Sequence, residues 1–83
     1  MRYEVYIWDN DQIKEYDENY GEGSFEEDYD TSSGYMTLSD FGTLVLRTDD
    51  RDEANEACGN AFDKIGGRGE AAIWDSDEKE WFN

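Results

Sequence analysis

Acidic side chains outnumber basic ones by 23 to 7 in this chain of 83 residues, which gives a formal net charge of −16 at pH 7. Because the chain has no histidine, no side chain is expected to titrate near neutral pH, so the charge persists under physiological conditions. Self-repulsion of this size costs folding stability and excludes electrostatic attraction to nucleic acid or to an anionic membrane surface. A partner that is attracted electrostatically must therefore be basic.

High net charge with low mean hydropathy is typical of a disordered chain, yet other features favour a folded one. Aromatic residues, including three tryptophans, make up 16% of the sequence, and proline is absent. Regular hydrophobic patterns also flank the most acidic stretch. We therefore predict a single folded domain over residues 1–83, with one small core and no deep enclosed active site.

Alternating side chains predict the first strand, with Tyr3, Val5 and Ile7 on one face and polar or aromatic residues on the other. A second strand is predicted over residues 42–48, and the preceding segment 35–38 is interpreted as a short neighbouring strand. The C-terminal hairpin is predicted over about residues 70–82, with its two tryptophans close to each other.

One amphipathic helix is predicted over about residues 51–65. Asp50 can cap its first turn, with Glu53 three residues on as the partner in a capping box. An apolar stripe at helical spacing follows, formed by Ala54, Ala57, Cys58, Ala61, Phe62 and Ile65. These elements predict an α+β fold, a small antiparallel sheet of about four to five strands with one helix packed on one face.

Residues 9–34 then form a long acidic insertion after the first strand. Within residues 15–30, "EYDENYGEGSFEEDYD", eight of sixteen positions are acidic, four are aromatic and none is basic. Connections this long are usually functional or disordered. The aromatic residues could either fold the insertion back onto the sheet or stack on arginine side chains of a partner.

Catalysis and metal binding find little support in the sequence. With no histidine, and with Cys58 in the apolar stripe, no activated nucleophile is expected, so we predict neither an enzyme nor a cofactor. The stretch from Asp17 resembles a calcium loop, but Gly21 takes the place of the third ligand and Glu22 that of the required glycine. No metal site is predicted, and a calcium-responsive module is kept only as an alternative.

The chain carries charge at nearly the density of DNA. A compact chain of this length spans about 30 Å, and 30 Å of duplex carries roughly 18 phosphates. In size and composition the sequence resembles the small acidic nucleic-acid-mimic proteins of phages and mobile elements. That resemblance implies an inhibitor that occupies the nucleic-acid site of a restriction enzyme, CRISPR effector, repair protein or nucleoid protein.

The predicted function is thus inhibition of a basic nucleic-acid-binding protein, without direct contact to nucleic acid or membrane. The residues predicted to contact the partner are Glu15, Asp17, Glu18, Glu22, Glu26, Glu27, Asp28 and Asp30, with Tyr16, Tyr20 and Tyr29, in the insertion; Asp52, Glu56 and Asp63 on the helix; and Asp75, Asp77 and Glu78 at the hairpin. The carboxylates of the insertion are expected to follow an extended segment, two residues apart.

Another hypothesis is an interaction domain that binds its partner by hydrophobic contact through a sheet edge or a face bearing Trp8, Trp74 and Trp81. We expect a monomer or homodimer. No apolar run is long enough for a signal or membrane segment, so a cytoplasmic location is expected.

Overall fold

The computed structural model describes all residues 1–83 and shows a four-stranded antiparallel sheet with four helices. In chain order the elements are β1 (Tyr3–Asp9), α1 (Asn10–Tyr20), α2 (Ser24–Thr31), α3 (Tyr35–Phe41), β2 (Thr43–Thr48), α4 (Arg51–Lys64), β3 (Gly69–Asp75) and β4 (Glu80–Phe82). The strand order is β2-β1-β3-β4, with every neighbouring pair antiparallel. The predicted α+β class with a small antiparallel sheet is confirmed.

Helices cover both faces of this sheet rather than one. Alternation along β1 directs Tyr3 and Val5 toward α4, where they join a core that includes Cys58. The same alternation directs Tyr6 and Trp8 to the opposite face, where they pack with residues of α1, α2 and α3. β1 is therefore the centre of a three-layer arrangement.

α4 coincides with the predicted amphipathic helix. The Asp50 carboxylate accepts hydrogen bonds from the backbone N–H groups of Asp52 and Glu53, at 2.8 and 3.2 Å. Ala54 and Cys58 of the apolar stripe are buried against the sheet, whereas Phe62 is largely exposed. In the hairpin, β3 pairs with β4 so that Trp74 lies opposite Trp81, as expected.

The expectation of a single helix is wrong, because the insertion folds into α1 and α2 and the segment 35–38 belongs to α3 rather than to a strand. α1 begins with a capping box in which Asp9 and Gln12 exchange hydrogen bonds of 2.8 Å in both directions. Behind that cap, Ile13 and Tyr16 lie three apart on the side facing the core, and Tyr20, four residues on, is half-exposed with its ring against that of Tyr16.

An aromatic cluster joins the insertion to the sheet. Trp81 packs on Trp8 and Trp74 with ring centroids 5.4 and 5.1 Å apart, and Phe25 of α2 contacts Trp8 edge-on at 5.3 Å. Tyr35 of α3 stacks on Trp74 at 4.5 Å. The tryptophan-bearing face is therefore covered by the chain's own helices.

Trp8 also fixes the position of α3. Its indole N–H donates a 2.7 Å hydrogen bond to the backbone carbonyl of Leu38. The ring passes so close to Gly42 that a Cβ there would lie 2.7 Å from the indole nitrogen. The turn from α3 into β2 thus requires glycine at this position, since any side chain would push the ring out of place.

A partly buried ion pair closes the end of the sheet. The Arg2 guanidinium donates to both carboxylate oxygens of Asp75, at 2.9 and 3.0 Å, and Asp75 is only 1% exposed. Backbone N–H groups of Asp77 and Glu78 donate to the same carboxylate. The hydrogen bonds from Arg2 hold the pKa of Asp75 below its ordinary value.

Replacing Asp75 with asparagine should lower the thermal stability, because the amide cannot pair with the Arg2 charge. Since the pKa of Asp75 lies below 3.8 in the folded chain, its ionised form stabilises the fold above about pH 5, and this contribution is lost as the pH falls through the folded pKa. Denaturant titrations at about pH 7, 5 and 3 should show the wild type and Asp75→Asn converging toward acid. A stability difference that does not change with pH would contradict a stabilising role for the ionised Asp75 carboxylate.

Candidate protein-binding surface

Nearly all of the negative charge is on the surface. Of the 23 acidic side chains, all are exposed except Glu4, Asp17, Asp28 and Asp75. Three salt bridges occur in the chain, and Arg2 and Arg47 are the only basic residues in them. Most of the surface carboxylates are therefore unpaired and available to a basic partner.

Most of the exposed carboxylates fall into three groups instead of one track. The first group lies on α1 and α2, the second on α4 and the third at the β3–β4 turn. Because α4 packs on the other face of the sheet, Asp52, Glu56 and Asp63 are separated from the insertion. The groups comprise Asp11, Glu15, Glu18, Glu22, Glu26, Glu27 and Asp30; Asp52, Glu53, Glu56 and Asp63; and Asp77, Glu78 and Glu80.

The spacing expected within the insertion is also wrong. Residues two apart do not share a face of a helix, whereas residues three or four apart do. On α2, Glu26 and Asp30 are four apart and both are exposed, and Glu27, also exposed, is three residues before Asp30. Like charges at this spacing destabilise an isolated helix by about 0.2–0.5 kcal/mol per pair. Tertiary contacts must therefore hold α2 in place.

Tyr16 provides one such contact. Its side chain is fully buried, and its hydroxyl donates to the Asp28 carboxylate of α2 at 2.5 Å and lies 2.7 Å from the Thr37 hydroxyl of α3. Burial and the hydrogen bond to Asp28 raise the pKa of Tyr16 to about 12, so it remains protonated at physiological pH. One hydroxyl thereby connects α1, α2 and α3.

Asp17 makes a second connection between the first two helices. Its carboxylate accepts a 2.9 Å hydrogen bond from the backbone N–H of Phe25, in the first turn of α2. The N-cap position of α2 is Gly23, which has no side chain to cap the helix. Asp17 therefore supplies the cap from α1, consistent with the preference of helix N-termini for negative charge.

A groove of about 440 Å³ lies beside these contacts. Ile13, Phe25 and Tyr29 contribute its apolar wall, and burial raises the pKa of Tyr29, which keeps its hydroxyl neutral. Four carboxylates and one glycine complete the lining: Asp17, Glu26, Asp30, Glu70 and Gly23. An apolar wall with carboxylates around it matches a lysine or arginine side chain, whose hydrocarbon stem packs on apolar surface while its charge meets carboxylates.

The structure sorts the predicted contact residues into exposed and buried ones. Tyr16 and Asp75 are buried, and Asp28 is bonded to Tyr16, so none of the three is free to meet a partner. Tyr29 is half-buried in the groove. Tyr20 is half-exposed, with its ring 4.7 Å from that of Tyr16. The aromatic residues of the insertion thus serve mainly to fold it onto the sheet.

Glu70 was missed by the sequence analysis. β3 pairs with β1 so that Glu70 lies opposite Trp8, on the face covered by the insertion helices. This places its carboxylate in the groove with Glu26 and Asp30, more than 35 residues away in sequence. No local pattern marks Glu70, because its position depends on the register between the two strands.

The structure contains neither a metal-binding cluster nor a membrane-spanning helix. No three Asp, Glu or Cys side chains converge closely enough to hold a metal ion. None of the four helices combines the length and apolar character needed to cross a bilayer. No family model, curated protein or solved structure matches the chain.

Replacing Tyr16 with phenylalanine should reduce the free energy of unfolding by about 1–3 kcal/mol, because the partly buried Asp28 carboxylate loses its donor. Tyr20→Phe is the matched control, since the Tyr20 hydroxyl makes no hydrogen bond within the chain. Chemical denaturation of the two variants makes the comparison. Equal stability of Tyr16→Phe and Tyr20→Phe would show that the Tyr16 hydroxyl does not hold the helices together.

Proposed function

We propose that this protein binds a basic nucleic-acid-binding protein through the acidic surface of α1 and α2 and blocks its nucleic-acid site. The proposal is supported by the density of exposed, unpaired carboxylates on a small folded domain. The molecule measures 34 × 28 × 17 Å and carries a net charge of −16. Duplex DNA of 34 Å carries about 20 phosphates. A basic channel that attracts DNA would therefore also attract this protein, because the two carry a similar charge over a similar length.

The groove gives this surface a feature that a solvated acidic surface lacks. Proteins hold nucleic-acid backbones largely with arginine and lysine side chains, and these extend from the channel wall. One such side chain could enter the groove, with its stem against Phe25 and Tyr29 and its charge near Glu26 and Asp30. The surrounding carboxylates of α1 and α2 would meet neighbouring cations of the same channel.

The α4 face is a weaker candidate for the same role. Its neighbouring groove of about 470 Å³ is lined by Asn55, Cys58, Gly59, Phe62, Ala71 and Asn83, with Glu70 as the one carboxylate. A cation entering there would meet little negative charge. We therefore assign partner binding to the opposite face, which carries α1 and α2.

Hydrophobic binding through the tryptophans has no comparable support. Trp8, Trp74 and Trp81 are each less than a tenth exposed and lie beneath α1, α2 and α3. A partner could reach them only if these helices moved away. The calcium alternative likewise has no converging set of ligands to support it.

Elution of DNA-bound proteins tests the proposal directly. A bacterial extract is loaded on immobilised duplex DNA at low salt, and the column is washed with the purified protein. Wild type should release one or a few DNA-binding proteins selectively, because it competes for their nucleic-acid sites. The variant Glu26→Gln/Glu27→Gln/Asp30→Asn should release at least about tenfold less of the same proteins, since a charge-assisted contact contributes about 1.5–3 kcal/mol.

The matched control is Glu53→Gln/Glu56→Gln/Asp63→Asn on α4, which removes the same number of Glu and Asp charges from the other face. It should release the same proteins nearly as well as wild type. If both variants lose activity equally, or if an unstructured acidic peptide of equal charge releases the same proteins, the effect is one of net charge alone and the assigned surface is wrong.

A further inference from the structure

Negative charge is nearly absent from one segment of the chain. Residues 31–48, which include α3 and β2, contain one acid, Asp40, and one base, Arg47. The preceding thirty residues contain eleven acids. β2 and α3 thus form a nearly neutral surface in a chain that is otherwise strongly negative.

This neutral surface is also apolar. Six large hydrophobic side chains are exposed in the whole chain, and three of them, Met36, Leu44 and Val45, belong to residues 31–48. Tyr20, a fourth, lies beside it with its ring 5.8 Å from that of Phe41. In a highly charged protein, apolar side chains gathered on the one neutral surface indicate a contact with another molecule.

β2 is an edge strand with an open side. It pairs only with β1, so the backbone groups along its outer edge have no partner in the chain. Natural edges are usually protected by short length, proline or charge. β4, the opposite edge, has three residues and follows the acidic β3–β4 turn, whereas β2 has six residues and Arg47 as its single charge. The protective features in β2 are therefore the single charge of Arg47 and the bulge at Val45.

We propose that a second copy of this chain occupies this edge, with its own β2 antiparallel to the first, so that the two sheets form one of eight strands. The scarcity of charge on this surface favours a second copy over a basic partner, because a basic side chain would meet almost no carboxylate there. Two copies that each carry −16 repel one another wherever acidic surfaces meet, and β2 is where they can approach.

The arrangement is self-complementary. Leu44 lies near the start of β2 and Arg47 near its end. An antiparallel pair places the start of one strand beside the end of the other, so Leu44 of each copy comes toward the end of the other β2, while Arg47 keeps its 3.2 Å salt bridge to Glu4 of its own chain. Leu44, Val45 and Met36 lose solvent contact at the same interface. The bulge at Val45 limits the regular ladder to the residues on either side of it, so association should be weak and reversible.

Salt should act on this dimer in the direction opposite to its effect on the proposed basic partner. Screening reduces repulsion between two negative copies, whereas it weakens attraction to a positive channel. The dimer proposal thus does not rest on the proposed function, and either proposal can be wrong while the other is right.

Sedimentation equilibrium of the full chain at about 50 mM and about 1 M NaCl tests the proposal. We expect a monomer–dimer equilibrium that shifts toward dimer at high salt. Val45→Glu should raise the dissociation constant about tenfold or more, because a charge would be buried in the interface. The control Phe62→Glu makes the same charge change at a side chain of nearly equal exposure, 41% against 42%, on α4. It should dimerise like wild type.

Met36→Glu, at a helical position that is 75% exposed, provides a second interface variant that does not alter the strand. Circular dichroism verifies that each variant is folded. A wild type that stays monomeric at high salt and high concentration would overturn the proposal. The proposal would also be overturned if Phe62→Glu weakened the dimer while Val45→Glu and Met36→Glu left it unchanged, because the interface would then lie elsewhere.

Discussion

The contact of Trp81 with Trp8 and Trp74 is the interaction on which the rest of the structure depends. It joins β1, β3 and β4 into one aromatic layer, and Phe25 and Tyr35 attach the insertion helices to that layer. Aromatic pairs of this kind contribute about 0.5–1.5 kcal/mol each beyond their burial. A chain with a net charge of −16 needs such a core, because α1 and α2, which pack on it, carry carboxylates that repel one another.

The few acids that are not exposed have structural roles. Asp75 pairs with Arg2, Asp17 caps α2 and Asp28 accepts from Tyr16. Glu4 accepts hydrogen bonds from Tyr35 and Tyr6, at 2.6 and 3.1 Å, and lies 3.2 Å from Arg47; its hydrogen bond raises the pKa of Tyr35. Among the exposed acids, Asp9 and Asp50 cap α1 and α4, and Asp49 and Asp77 contact Arg2. Most of the other exposed carboxylates make no such contact within the fold. This division separates residues that build the scaffold from those that can meet a partner.

Much of the scaffold could be predicted from local sequence, and the groove could not. The alternation of β1, the Asp50 cap of α4 and the pairing of Trp74 with Trp81 follow from short-range patterns. α1 and α2 were missed because their dense acids indicated a solvated loop, although Asp9 and Gln12 have the spacing of a capping box. The groove requires Glu70 beside α2, which is a consequence of strand register and tertiary packing.

The central claim is that the acidic surface of α1 and α2 takes the place of nucleic acid. It is tested most directly by titrating this protein into a complex of labelled duplex DNA with a purified protein that it releases from DNA. We expect full displacement of the duplex, with an apparent inhibition constant that rises linearly with the DNA concentration, as mutually exclusive binding requires. A stable ternary complex, in which the partner holds the DNA and this protein together, would contradict it.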